Sequence, residues 1–222
     1  MNNRTLILFA DRHYDAYPGR RQAELLRPLC DLIYIEEDYP ALIAAIHAHP
    51  GAILAFNSIV GTPGNLTVPD SVEAPLRSHL ESGAPLWLLH GGSSAFWVWG
   101  WWRQLMPLRW VRNGDPDNAP VSTHPLIPLC LTPTTLALEC LPELTELHLP
   151  VDENYIKLAV QQPFTTWLTT INDGVVYPQA YSSITPWGGA LHGFIPGHMA
   201  EVLSHPGYIA LFNSIATYWL RK

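Results

Sequence analysis

The 222-residue chain is short of charge and of cysteine. Asp, Glu, Lys and Arg together make up only 14% of it, and no block of Lys or Arg stands out. With a net charge of -7, a nucleic acid is excluded as the main partner, because a polyanion is bound through a basic surface. Cys30, Cys130 and Cys140 form no CxxC. That excludes a cysteine-based structural zinc site and suits buried thiols in a reducing compartment. GxGxxG and Walker-type loops are missing, so nucleotide binding through them is excluded. Long apolar runs are missing too. The first, Leu6–Ala10, is too short for a signal-peptide core or a membrane span. No membrane partner is expected, and the expected location is the cytoplasm.

Apolar residues, by contrast, form 48% of the chain, enough for a sizeable core. The 21 prolines are scattered as turn punctuation, alongside nine tryptophans and ten histidines. The first half alternates strand and helix signals. Strands are predicted at Thr5–Ala10, Asp31–Glu37, Gly51–Asn57 and Pro85–His90. Helices are predicted within "AYPGRRQAELLRPLC", "YPALIAAIHAHP" and Asp70–Gly83. Strands apolar throughout indicate a parallel sheet covered on both faces. The second half is less regular, with two strands around a turn at Pro186–Gly189 and a closing helix striped by Ile209, Leu211, Phe212, Ile215 and Tyr218. The expected fold is α/β and doubly wound, as one domain over residues 1–222 with an elaborated C-terminal half.

Ligands of such folds sit beyond the carboxyl ends of the strands. Here those ends read "ADRHYD", "FNSIVG" and "HGGSS". The last resembles a nucleophile elbow, but its apex is His90 rather than a serine or cysteine, which argues against covalent acyl transfer. Gly91 and Gly92 permit close backbone approach, and Ser93 and Ser94 are expected to open a helix whose N–H groups hold an anion. A tight connection with a buried histidine is the competing reading. His13, between Asp11 and Asp15, and His198, after Gly197, are candidates to join His90 in one cleft. There they would serve as general acid or base. A divalent metal near His13, His90 and His198 stays open, although no HxH or HxxxH links them. His124 and His205 each precede a proline and read as turn residues. The crowded tryptophans fit a sugar platform, a packed core or an interface. Helical spacing would put Trp97 and Trp101 on one face and Trp99 and Trp102 on another.

In order and spacing, four stretches resemble the ThuA-like (trehalose utilisation) family, which shares the flavodoxin-like fold of class I glutamine amidotransferases. They are the His13 loop, "LWLLHGGSSAFW", "DNAPVSTHPLIPLCL" with "ELTELHLP", and the segment from "YPQAYSSITPWGGALHGFIPGH" to the closing helix. The "ELTELHLP" stretch is matched to the family's Glu-Leu-Tyr region, and Trp187 to its tryptophan after a strand. The resemblance implies His13, His90 and His198 as catalytic residues. It also implies a ligand site including Gly91, Gly92, Ser93, Asp115 and Trp187. Asp115 and Asp117 stand roughly where the family tends to carry histidines. The amidotransferase cysteine is absent. The implied function is acid–base chemistry on, or binding of, a disaccharide-like carbohydrate. The alternatives are a non-catalytic sugar-binding or regulatory subunit, and a homo-oligomer or complex that covers the Trp-rich patch.

Overall fold

A computed structural model of the chain describes residues 4–12, 18–62, 64 and 67–222. In chain order its elements are β1 (Thr5–Ala10), α1 (Pro18–Leu26), β2 (Asp31–Glu36), α2 (Tyr39–Ala48), β3 (Ile53–Asn57), α3 (Glu73–Glu81), β4 (Leu86–Leu89), α4 (Gly100–Leu105), β5 (Leu108–Arg109), β6 (Leu126–Pro133), α5 (Thr135–Cys140), β7 (Leu147–Glu153), β8 (Ala159–Val160), β9 (Thr165–Asn172), β10 (Val175–Ile184), β11 (Ala190–Phe194), α6 (Ala200–Ser204) and α7 (Pro206–Trp219). Among the described residues, no helix is long and apolar enough to cross a membrane.

One nine-stranded sheet runs β2-β1-β3-β4-β11-β10-β9-β6-β7. The first five strands are parallel, in the order of a flavodoxin-like sheet. The rest are antiparallel. β5 and β8 form a small separate ribbon. The apolar runs are explained by burial on both sides. Ile7, Phe9, Leu54, Phe56, Leu86 and Leu88 face a core closed by α2, α3 and α4. The alternating residues Leu6, Leu8, Ile53, Ala55, Trp87 and Leu89 face a second core closed by α1 and α7. Asp38 starts α2 by accepting a hydrogen bond from the Ala41 N–H at 2.9 Å.

Everything between β4 and β11 is an insertion into the parallel sheet, and it returns to the sheet's carboxyl edge. β7 lies four places from β11, which in a flat sheet would be about 19 Å. Yet Asp152 on β7 reaches the Gly197 N–H beyond β11 at 2.7 Å. The β6–β7 hairpin therefore folds back. It is bent by an irregularity between Pro128 and Cys130 and tied to β9 by only the pairs Thr132–Thr169 and Pro133–Leu168.

Two local expectations are corrected. "HGGSS" is itself a 3-10 turn, His90–Ser94, and Ser93 caps no helix. The next helix, α4, begins at Gly100 without a side-chain cap. Because that helix is short, Trp97 and Trp99 lie outside it and helical spacing does not sort the tryptophans. Trp99 stacks on Phe96 at 4.5 Å and on Trp101 at 5.8 Å. Trp87 and Trp102 are core residues.

Candidate functional site

β4 carries the chain into the turn where His90 sits, fully buried with φ of 46°. A non-glycine residue in this left-handed region is uncommon and is held there by its surroundings. Gly92 allows the turn to form, because a Cβ at that position would collide with the Phe56 carbonyl. His90 Nδ1 lies 2.9 Å from the Ile195 carbonyl oxygen, which can only accept, so Nδ1 carries a proton. Nε2 is thereby turned toward His198 Nδ1 at 3.1 Å, the Tyr155 hydroxyl at 3.2 Å and Glu153 Oε2 at 3.4 Å.

Each neighbour is held in turn. Gly197 has φ of 111°, which only glycine adopts readily, and it bends the chain after β11. Buried Asp152 then accepts the backbone N–H groups of Gly197, His198 and Met199 at 2.7, 3.0 and 2.9 Å. Glu153 Oε2 stands 3.6 Å from His198 Nδ1, and its other oxygen 3.1 Å from His124 Nδ1. Trp110 packs on Tyr155 at 4.6 Å and on His124 at 5.2 Å between ring centres, forming an aromatic wall.

The electrostatics follow from this packing. Burial works to raise the Glu153 pKa, but the hydrogen bond and charge of His90, with the charges of His198 and His124, outweigh it and hold the carboxyl below its usual range. Burial, reinforced by His90, lowers the His198 pKa against the opposing pull of Glu153 and Asp152. The cluster thus sets an ionised carboxylate beside imidazole nitrogens in a partly dehydrated setting, suited to proton transfer or to holding a cation.

Of the residues expected from sequence, His90 and His198 meet. His13 lies outside the described residues. Gly91 O accepts the Ser94 hydroxyl at 2.9 Å, and the buried Ser93 hydroxyl finds no hydrogen-bond partner among the described residues. With the turn in 3-10 form, the expected helix N-terminus at Ser93 and Ser94 is not there to hold an anion. Asp115 is committed elsewhere, forming a two-pronged pair with buried Arg109 at 2.6 and 2.9 Å and accepting the Ala119 N–H. Trp187 sits in the turn before β11, against Gly83 and Trp101. β11 and β4 are parallel, so this is the opposite end of the sheet from His90 and His198, and the ligand-site expectation for Trp187 is corrected.

Sequence reasoning missed Glu153, Tyr155 and His124. The expected Glu-Leu-Tyr match at "ELTELHLP" falls just before the residues that matter. The available signal was "DENY", two carboxylates closing a strand and followed by a tyrosine.

No family model matches the sequence, and no curated protein matches it. Solved structures do resemble the fold. One, described as a ThuA-like protein from Parabacteroides merdae ATCC 43184, superposes with a TM-score of 0.72 at 11% identity, covering 98% of this chain and 90% of that one. Another so described, from Bacteroides uniformis ATCC 8492, gives a TM-score of 0.66 at 9% identity, covering 97% and 91%. At these identities the likeness establishes the shared fold.

Proposed function

We propose that the chain acts on a small, sugar-like polyol in the cytoplasm, by acid–base chemistry at the cluster of His90, Glu153 and His198. The observation that carries this reading is the orientation of His90. Its Nδ1 proton is committed to the Ile195 carbonyl, while Nε2 faces a carboxylate 3.4 Å away. A base so placed takes a proton from a substrate hydroxyl on Nε2, and Glu153 balances the positive charge that results. Tyr155 and His198 supply further hydrogen-bonding groups within 3.2 Å of the same nitrogen. Hydroxyl-rich substrates match such a set of donors and acceptors. The carbohydrate class is supported by the resemblance of the chain's motifs to the ThuA-like family.

The test is a disaccharide panel, trehalose included, read by thermal shift and by product formation with wild-type protein and His90→Ala. Stabilisation and turnover in the wild type, with turnover lost in a folded His90→Ala protein, are expected. Stabilisation without product would reduce the chain to a sugar-binding subunit. Undiminished turnover in His90→Ala would remove the acid–base assignment.

A further inference from the structure

Three donor atoms at this site close a small triangle. His90 Nε2 and His198 Nδ1 are 3.1 Å apart, His90 Nε2 and Glu153 Oε2 3.4 Å, and Glu153 Oε2 and His198 Nδ1 3.6 Å. Around one first-row divalent ion with bonds of about 2.1 Å, neighbouring ligand atoms lie about 3.0 Å apart in an octahedron and about 3.4 Å in a tetrahedron. Two edges of the triangle fall in that range, and the third, at 3.6 Å, exceeds it by about 0.2 Å. An ion about 2.1 Å from all three would sit about 0.8 Å out of their plane.

The surroundings have the form that metal sites use to aim their ligands. His90 gives its other ring nitrogen to a backbone carbonyl, which fixes the tautomer and points Nε2 inward. His124 lies beside the Glu153 oxygen that is not part of the triangle. The Asp152 carboxylate fixes the backbone on both sides of His198.

We propose that His90, Glu153 and His198 bind a divalent first-row transition-metal ion through Nε2, Oε2 and Nδ1. Two imidazoles and one carboxylate, with no thiolate, form a donor set suited to zinc or ferrous iron. The inference deepens the function proposed above and rests on that reading only for what the ion is used for. With the ion bound, His90 Nε2 is a ligand, and the proton acceptor would be a metal-bound hydroxide, formed because the ion raises the acidity of a coordinated water.

A second group, Cys130, Glu146 and His148, lies on the β6–β7 hairpin, where His148 is 77% and Glu146 54% exposed. The experiment therefore starts from the full chain carrying C130S and H148A, stripped with EDTA and titrated calorimetrically with Zn2+. Binding of one ion per chain is expected. Adding E153Q or H198A should weaken that binding at least tenfold and remove the visible bands of the Co2+-loaded protein. Circular dichroism without metal checks that each variant is folded, and E153Q, which keeps the side chain's shape, decides alone should H198A fail. No Zn2+ binding by the starting protein, or unchanged affinity in folded E153Q, overturns the metal site. Zinc binding by a chain that no carbohydrate stabilises would uphold the metal site and remove the sugar reading. Carbohydrate turnover by a chain that binds no Zn2+ would do the reverse.

Discussion

The Asp152 carboxylate accepts the His198 backbone N–H at 3.0 Å, joining the end of β7 to the loop after β11 across a gap that the sheet order alone would keep open. The next residue, Glu153, then reaches the site. Asp152→Ala leaves three backbone N–H groups in this pocket without their acceptor. At about 1–3 kcal/mol for each orphaned donor, a loss of about 3 kcal/mol or more is expected in urea unfolding. Asp152→Asn, which keeps one acceptor oxygen, should lose less. Stability within about 0.5 kcal/mol of wild type for the alanine variant would show that the carboxylate does not hold this loop.

The tautomer of His90 is testable directly. Long-range proton–nitrogen correlation should show Nδ1 protonated in the wild type. Tyr155→Phe removes the hydroxyl 3.2 Å from Nε2 but keeps the ring that packs on Trp110. It should move the Nε2 resonance, leave Nδ1 in place and cost about 1 kcal/mol or less in stability. Turnover on any active carbohydrate should fall about tenfold to hundredfold, the range for partners that orient a site. A His90 proton found on Nε2 alone would contradict the assigned geometry.

How much the sequence discloses depends on the range of the physics involved. Apolar runs such as Leu6–Ala10 and Leu86–Leu89 reveal a doubly covered parallel sheet, because burial on both faces writes itself into consecutive residues. The closing strand pair and the meeting of His90 with His198 follow from strand-end logic. The return of β7 does not. It depends on a bend near Cys130 and on contacts between residues 45 apart, such as Asp152 with Gly197. Glu153 and Tyr155 are hidden for that reason. His124 is hidden because a proline neighbour explains it equally well as a turn. Asp115 illustrates the opposite error. Its partner Arg109 lies six residues away, and buried pairing accounts for a carboxylate that the family resemblance had assigned to a ligand site.

The Arg109–Asp115 pair gives a prediction that separates structural from ligand-binding roles. Arg109 is 1% exposed and its partner's side chain 2%. Asp115→Ala would leave the buried guanidinium with only the longer contact from Nη2 to half-exposed Asp117 at 3.5 Å, so a loss of about 3 kcal/mol is expected, toward the lower end for breaking a buried pair. The Arg109→Met, Asp115→Leu pair should recover much of that loss. The hydrogen bonds from Arg109, against the opposing effect of burial, hold the Asp115 pKa below its usual value. This contribution is therefore present above the unfolded carboxylate range and is lost as pH falls below it. Denaturant melts at pH 7 and pH 3 check both. Equal stability of Asp115→Ala and wild type at pH 7 would refute the structural role.

His192 sets the acid side of the stability profile. Its ring stacks on Trp219 at 4.4 Å, and Nδ1 is 2.7 Å from the Ser182 hydroxyl, which itself accepts the Trp167 indole N–H. Burial, aided by the charge of Arg4, pushes its pKa down to about 3, so the folded protein keeps the ring neutral. The unfolded chain takes up this proton below about pH 6.5, where the fold does not. More protons on the unfolded state mean that stability falls as pH drops, by about 1.4 kcal/mol per unit well below pH 6.5, and levels off near pH 3. Between pH 6.5 and 5, before most carboxylates titrate, wild type should therefore lose stability steadily. Burial lowers the pKa of His79 as well, adding to the slope. His192→Gln removes the titrating group while retaining an acceptor for Ser182. It should be less stable at pH 7, through loss of the stacked ring, yet show a shallower decline toward pH 5. Parallel slopes for the two proteins would mean that His192 is not held neutral in the fold.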